Sequence, residues 1–314
     1  MRLLLLGVLA TLVVAPLVGN PPSDTRALGV LQNFAHGPIF AAIAAIWIIL
    51  WRVHGEPKAV RYRKYWAVLG LSVFLGCAIE LVQGLIGRDA SAWDVLNNTL
   101  GAVLGLSLTS LFDHRMAQRT HRRSVSLTAA LLSAALLVYP VADVGASYLN
   151  RAKRMPELLT PERLRDLEFV RSGSAWLETT FLPEPWAQGS VVPTLEVLFG
   201  EGEYSGVNLF EPYPDWREYS TLVLDITYPG AVQLPLSVRI HDRHHDQTYE
   251  DRFNRTFNLE PESRQVLRIP LDEISSAPQG RAMDLSKVAG LGIFIQPRGV
   301  FAGERIYVTR IWLE

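Results

Sequence analysis

Cysteine is nearly absent: the 314 residues contain one, Cys77, set in an apolar run. No disulfide can close within the chain and no cysteine-based zinc cluster can be built, so Cys77 is read as a small buried hydrophobe. Also lacking are a nucleotide-binding glycine loop, a G-x-S-x-G elbow and a basic stripe in a soluble segment. Nucleotide and nucleic-acid partners are therefore not expected. Charge is scarce in one half only. Residues 1–150 hold 12 Lys/Arg and 7 Asp/Glu, whereas residues 151–314 hold 18 and 24. A near-neutral whole thus hides a charge-poor, mildly basic half and a charge-rich, mildly acidic one, which suggests two domains.

The charge-poor half is filled by long apolar runs. A spanning helix needs roughly 20 such residues, and five stretches approach that: residues 3–18, 34–51, 66–86, 95–112 and 127–144. The connections WRVHGEPKAVRYRKYW and DHRMAQRTHRRS are strongly basic, while NPPSDTR and GRDASAWD each carry one arginine and at least one aspartate. Basic loops stay on the cytoplasmic side. Five crossings with an inner amino terminus satisfy every loop and place the chain after about Tyr148 outside. Trp51, Tyr65 and Trp66 flank the first basic loop, where interfacial aromatics belong. The first stretch has a second reading as a cleavable signal peptide, which leaves the remaining topology unchanged.

Polar residues inside these runs are functional candidates, because uncompensated charge is costly at membrane depth. Glu80 and Gln83 stand three apart, on one helical face. Asp94, Asn98, Gly101 and Gly105 follow at steps of four, three and four, on one stripe of the next span. Gly101 and Gly105 form a small-xxx-small face that admits another helix backbone. Arg88 lies in the short connection between the two spans, and His36 opens an earlier span at the same layer. The economical account is a polar, outward-open cavity lined by Glu80, Gln83, Arg88, Asp94 and Asn98, joined by His36; the plain alternative is a set of interhelical hydrogen bonds and end-caps.

The string AIELVQGLIGRDASAWDVLNNTLGAVLG resembles the signature of VanZ-like membrane proteins: E-x-x-Q, an arginine a few residues on, then D-x-x-x-N-x-x-G-x-x-x-G. Glu80, Gln83, Arg88, Asp94, Asn98, Gly101 and Gly105 match in order. The family's D-K-x-x-H is only partly present, with His36 in place but Gln32 and Asn33 where the ion pair stands. The resemblance covers about residues 1–150. It implies a polytopic cell-envelope protein of a kind linked to teicoplanin resistance and to surface polysaccharide systems, without an established reaction.

From about Met155 the pattern becomes short alternating segments between Pro, Gly and Asp/Asn turns, the signal of an all-β domain. TLVLDITY, LPLSVRI, VLRIPL, GLGIFIQ and RIYVTRIWL are its clearest strands, and at least six to eight are expected, enough for a two-sheet sandwich. The fold class is accordingly an α-helical membrane bundle of about five transmembrane helices followed by an all-β jelly-roll sandwich. The expected division is a membrane domain over 1–148, a linker with a short peripheral helix over 149–170, and an extracytoplasmic sandwich over 171–314.

Strand order and phrases such as HDRHHDQTYEDRFN and APQGRAMDLSKVAGLGIFI resemble a galactose-binding-like jelly roll of the carbohydrate-binding-module kind. That resemblance implies glycan recognition. Members often carry an aspartate before the last hydrophobic pair for a structural calcium. Thr309 and Arg310 stand there instead, which argues against such a calcium; no cofactor is expected and no metal ligand is assigned. His241, Asp242, His244, His245 and Asp246 crowd one strand end; a metal site, a sugar-binding loop and a solvated loop are the open readings. The candidate ligand residues are His244, Tyr249 and Arg252 here, with Gln83, Arg88 and Asn98 in the bundle; the catalytic candidates are Glu80, Asp94 and His36. Trp176, Trp186, Tyr204, Tyr213, Trp216 and Tyr219 offer rings for sugar stacking or for the core. Expected partners are membrane lipid and a cell-surface polysaccharide or lipid-linked glycan. The expected location is the cell membrane, multi-pass, with the carboxy-terminal domain periplasmic or at the cell surface. Whether the bundle catalyses a reaction at a lipid-linked phosphate stays open.

Overall fold

A computed structural model describes residues 2–18, 25–51, 57–87, 91–113, 120–162, 164–296 and 299–314. The chain divides into two compact units, Met1–Ala146 and Ser147–Glu314.

The first unit is helical: α1 (Arg2–Val18), α2 (Arg26–Trp51), α3 (Lys58–Leu85), α4 (Ala92–Phe112) and α5 (Thr120–Lys153), whose last turns belong to the second unit. Five spans were expected; among the described residues six helices are present, four of them, α2 to α5, long and apolar enough to cross a membrane. The sixth lies in the β unit. The shortfall is α1: its 17 residues rise about 26 Å at 1.5 Å each, under the roughly 30 Å of a hydrocarbon core. Leu81 and Leu85 of α3 and Leu131, Leu132 and Leu136 of α5 are exposed, which suits helices solvated by lipid. Cys77, expected inside, is exposed on α3.

Small residues set the tightest helix contact. A Cβ on Gly101 would stand 2.2 Å from the Gly37 carbonyl oxygen, and one on Gly105 2.1 Å from that of Ala41. The glycine stripe of α4 therefore meets Gly37 and Ala41 of α2, not α3. Toward the other end, Arg61 of α3 donates two hydrogen bonds, of 2.8 and 2.9 Å, to the Asp113 carboxylate after α4. Both side chains are buried, so the pair satisfies two charges that burial would otherwise penalise. Arg52, Arg88, Arg115 and Arg119 lie outside the described residues.

The second unit is a two-layer antiparallel sandwich. Its strands are β1 (Glu157–Leu159), β2 (Val170–Gly173), β3 (Ala175–Phe181), β4 (Pro193–Phe199), β5 (Ser205–Phe210), β6 (Thr221–Tyr228), β7 (Leu234–Asp242), β8 (Phe253–Leu259), β9 (Ser263–Pro270), β10 (Val288–Ile295) and β11 (Arg305–Leu313), with α6 (Leu271–Ser276) after β9. One sheet runs β3-β4-β11-β6-β9, with β1 added to β11; the other runs β2-β5-β10-β7-β8. Eleven strands form among the described residues, where at least six to eight were expected; β1, β2 and β8 are too short or too polar to alternate visibly. Leu234, Leu236, Val238 and Ile240 of β7 are fully buried between the sheets, each worth about 1.5–3 kcal/mol of burial. The register then turns Ser237, Arg239 and His241 to the sheet's other face. Trp216 fills the core, its indole N–H donating 2.7 Å to the Tyr213 carbonyl.

Candidate functional site

In the helical unit, three elements bring the polar residues together. His36 comes from α2, Glu80 and Gln83 from α3, and Asp94 and Asn98 from α4. One imidazole nitrogen of His36 and one carboxylate oxygen each of Glu80 and Asp94 lie within 4.8 Å of one another. His36 Nδ1 is 3.0 Å from Asn98 Oδ1; with the amide oxygen assigned there, Nδ1 is the donor. Glu80 accepts at 3.0 Å from the backbone N–H of Ser91, the residue that caps α4. The Glu80 carboxylate thereby fixes the start of the helix that bears Asp94. Glu80 and Gln83 are buried at 5% and 4% exposure, and Asn98 is wholly enclosed. Carboxylates and an imidazole at this spacing can exchange protons with a shared ligand.

In the sandwich, the loop after β7 is organised by one arginine. Arg281 donates to Asp242 through Nη1 and Nη2 at 2.7 and 2.9 Å, and to Asp251 through Nε at 2.5 Å. Asp242 also accepts from the backbone N–H groups of His244 and Asp284, and Asp251 from that of Asp246. The Arg281 guanidinium draws the Asp251 carboxyl down to about 2. Within this frame the histidines separate. His245 is enclosed, its Nδ1 2.8 Å from the Asp251 carbonyl, whereas His244 is exposed beside Asp284 and Lys287. His245, Asp246 and Asp251 have the spacing of a metal site, but Asp251 is already engaged by Arg281.

The outer face of the five-stranded sheet carries the other group. Pairing of β7 with β10 sets His241 against Gly290 and Arg239 against Gly292, and β5 sets Asn208 against Gly292. Side chains lie flat over these glycines: a Cβ on Gly290 would meet His241 Nε2 at 2.4 Å, and one on Gly292 would meet Asn208 Oδ1 at 2.7 Å. Tyr204 packs edge-on against Phe294 with centroids 5.3 Å apart. The Arg171 guanidinium covers the Phe210 ring at 4.0 Å, and that of Arg252 covers Tyr249 at 5.1 Å. Burial lowers the His241 pKa, and the nearby Arg239 charge adds to that. Arg252, next to β8, covers Tyr249 in the preceding loop, and His244 lies apart beside Asp284 and Lys287. Arg239, Asn208 and Phe294 were not singled out from the sequence; the polar alternation S-R-H within LPLSVRIH is the signal that exposes Arg239. Of the remaining rings, Trp176 is exposed and Trp216 is core.

No protein-family model matches the chain, and no curated protein matches it in sequence. Among solved structures it is similar to an exo-β-agarase, with a TM-score of 0.40 and 13% identity, over 51% of this chain and 25% of that one. The chain thus spans a quarter of that protein. It is also similar to the family 11 carbohydrate-binding module from Clostridium thermocellum in complex with a β-1,3-1,4-mixed-linked tetrasaccharide, with a TM-score of 0.33 and 15% identity, over 46% of this chain and 86% of that one.

Proposed function

We propose that this chain is a VanZ-like cell-envelope membrane protein whose sandwich, on the outer side of the membrane, binds a surface glycan or glycolipid, with the buried polar cluster of the bundle holding a lipid-linked portion. The observation that carries it is the outer face of the five-stranded sheet. There a half-exposed Tyr204 and Arg239, His241 and Asn208 stand on a floor of Gly290 and Gly292, with an exposed Tyr249 under the Arg252 guanidinium. Rings offer apolar faces to pyranoses, and the flat polar side chains offer donors and acceptors to hydroxyls. Orientation rests on the basic connections read above, and a role in teicoplanin resistance or exopolysaccharide handling rests on the seven motif positions.

The test is retention of envelope polysaccharides by the full-length protein in nanodiscs. Tyr204→Ala and Tyr249→Ala are each expected to weaken binding about tenfold, the range of one lost stacking contact. Failure to retain any polysaccharide would remove the reading.

A second reading, favoured by the 4.8 Å grouping of His36, Glu80 and Asp94, makes the bundle an enzyme acting on a lipid-linked phosphate or glycan. One carboxylate then serves as acid or base, and Arg88 steadies the phosphate. Glu80→Gln and Asp94→Asn are each expected to cut turnover of lipid-linked precursors at least a hundredfold. Unchanged turnover in both variants would leave the cluster a structural one.

A further inference from the structure

Many arginines of the sandwich are held by carboxylates: Arg217 by Asp215, Arg264 by Asp225, Arg305 by Glu196, Arg310 by Glu157, and Arg281 by two aspartates. Three on the outer face of the five-stranded sheet, Arg171, Arg239 and Arg252, have no such partner among the described residues. Pairing places Arg171 on the same face as Asn208 through β2, and Arg239 there through β7. Arg252 immediately precedes β8. The Nε atoms of Arg239 and Arg252 are buried without a hydrogen-bond partner, and Arg239 reaches only His245 Nε2, at a long 3.4 Å. Burial holds the Arg239 pKa below its ordinary value, and the Arg252 charge lowers it further.

Two guanidinium groups near enough to repel and partly desolvated, with no carboxylate partner among the described residues, are destabilising on their own. The same arrangement becomes favourable once an anion enters, because the arginine fork matches a planar oxyanion bidentately. From β2 to β8 the sheet crosses four strand spacings, roughly 19 Å at about 4.8 Å each. A single small anion cannot span that distance; a chain of charged sugars can. Resting on the glycan-binding reading above, we infer that the face selects an anionic polysaccharide, bearing carboxylate or sulfate on successive sugars, with Arg239 and Arg252 gripping one charged group and Arg171 another.

The experiment uses the full-length protein in phosphatidylcholine nanodiscs, titrated with polygalacturonate, its carboxyl-reduced form, dextran sulfate and dextran. The parent of at least one pair is expected to bind at least tenfold more tightly than its uncharged counterpart. Preference within the first pair identifies carboxylate, and within the second, sulfate ester. Arg239→Gln and Arg252→Gln are each expected to weaken the charged polymer about tenfold and the neutral one by clearly less, with an unchanged thermal midpoint reporting an intact fold. Arg305→Gln, removing an equal charge from the other sheet, is expected to change neither. Equal affinity for charged and neutral polymers, with both glutamine variants behaving as wild type, overturns the anionic inference while glycan binding stands. Absence of binding to all four polymers, together with no retention of envelope polysaccharide, removes both. Equal loss in Arg305→Gln shows attraction by bulk charge and overturns the assignment to this face.

Discussion

Gly105→Leu is expected to unfold the helical unit's central contact, lowering stability by about 3 kcal/mol or more, at the upper end of what forced overpacking costs. A side chain there begins with a Cβ 2.1 Å from the Ala41 carbonyl oxygen and 2.8 Å from its Cα. Both obstacles are backbone, so no rotamer change relieves them, and α2 and α4 must move apart. Gly101 meets Gly37 in the same way one turn earlier, and between membrane helices such close approach is a main source of association. Separation would also draw His36 from Asn98, now 3.0 Å apart, so the ligand binding proposed for the cluster should fall with stability. Gly29→Ala is the control, since a Cβ there meets nothing within 4 Å and helix propensity improves. Thermal melting in detergent reads both. A Gly105→Leu midpoint equal to wild type, with Gly29→Ala unchanged or raised, would show that the helices do not meet through these glycines.

How much of this was visible in the sequence depends on the range of the interaction. Period-2 alternation in LPLSVRI and RIYVTRIWL identified β7 and β11, because burial of one face leaves a local trace. The i, i+3 relation of Glu80 and Gln83 likewise follows from helix geometry alone. Span number was harder, since α1 has the apolar composition of a membrane helix and falls short only in length. The partner of the Gly101–Gly105 stripe was not visible: spacing says that a helix face is small, never which neighbour uses it. Arg239 was passed over for the same reason. Alternation assigns it to the outer face, but its nearness to Arg252 and to the Tyr204–Phe294 pair depends on strand order across the sheet. Arg281 lay furthest from reach, for its two carboxylates are 39 and 30 residues away along the chain.

That arginine carries the other large effect: Arg281→Met is expected to destabilise the sandwich by about 3 kcal/mol, the scale of breaking a buried ion pair from one side. The Asp242 side chain is fully enclosed. Burial alone pushes its carboxyl up, yet hydrogen bonds from Arg281 and from the Asp284 backbone more than reverse this and leave it below the usual carboxylate range. Methionine fills similar volume without a donor, so Asp242 must take up a proton or draw in water, and the loop holding Asp251 loses its anchor. Both aspartates have depressed folded-state values, so their contribution is complete above an unfolded pKa of about 3.9 and fades as acid carries the pH toward 2. Wild type is therefore expected to lose stability steeply between about pH 4 and 2, and Arg281→Met to start lower and fall less over the same range. Arg281→Lys, keeping the charge but losing the fork, is expected to lie between them. Denaturant unfolding followed by far-ultraviolet circular dichroism of the β signal at pH 7, 4 and 2.5 distinguishes these cases. Parallel pH curves for wild type and Arg281→Met would show that the loop is held by something other than this arginine.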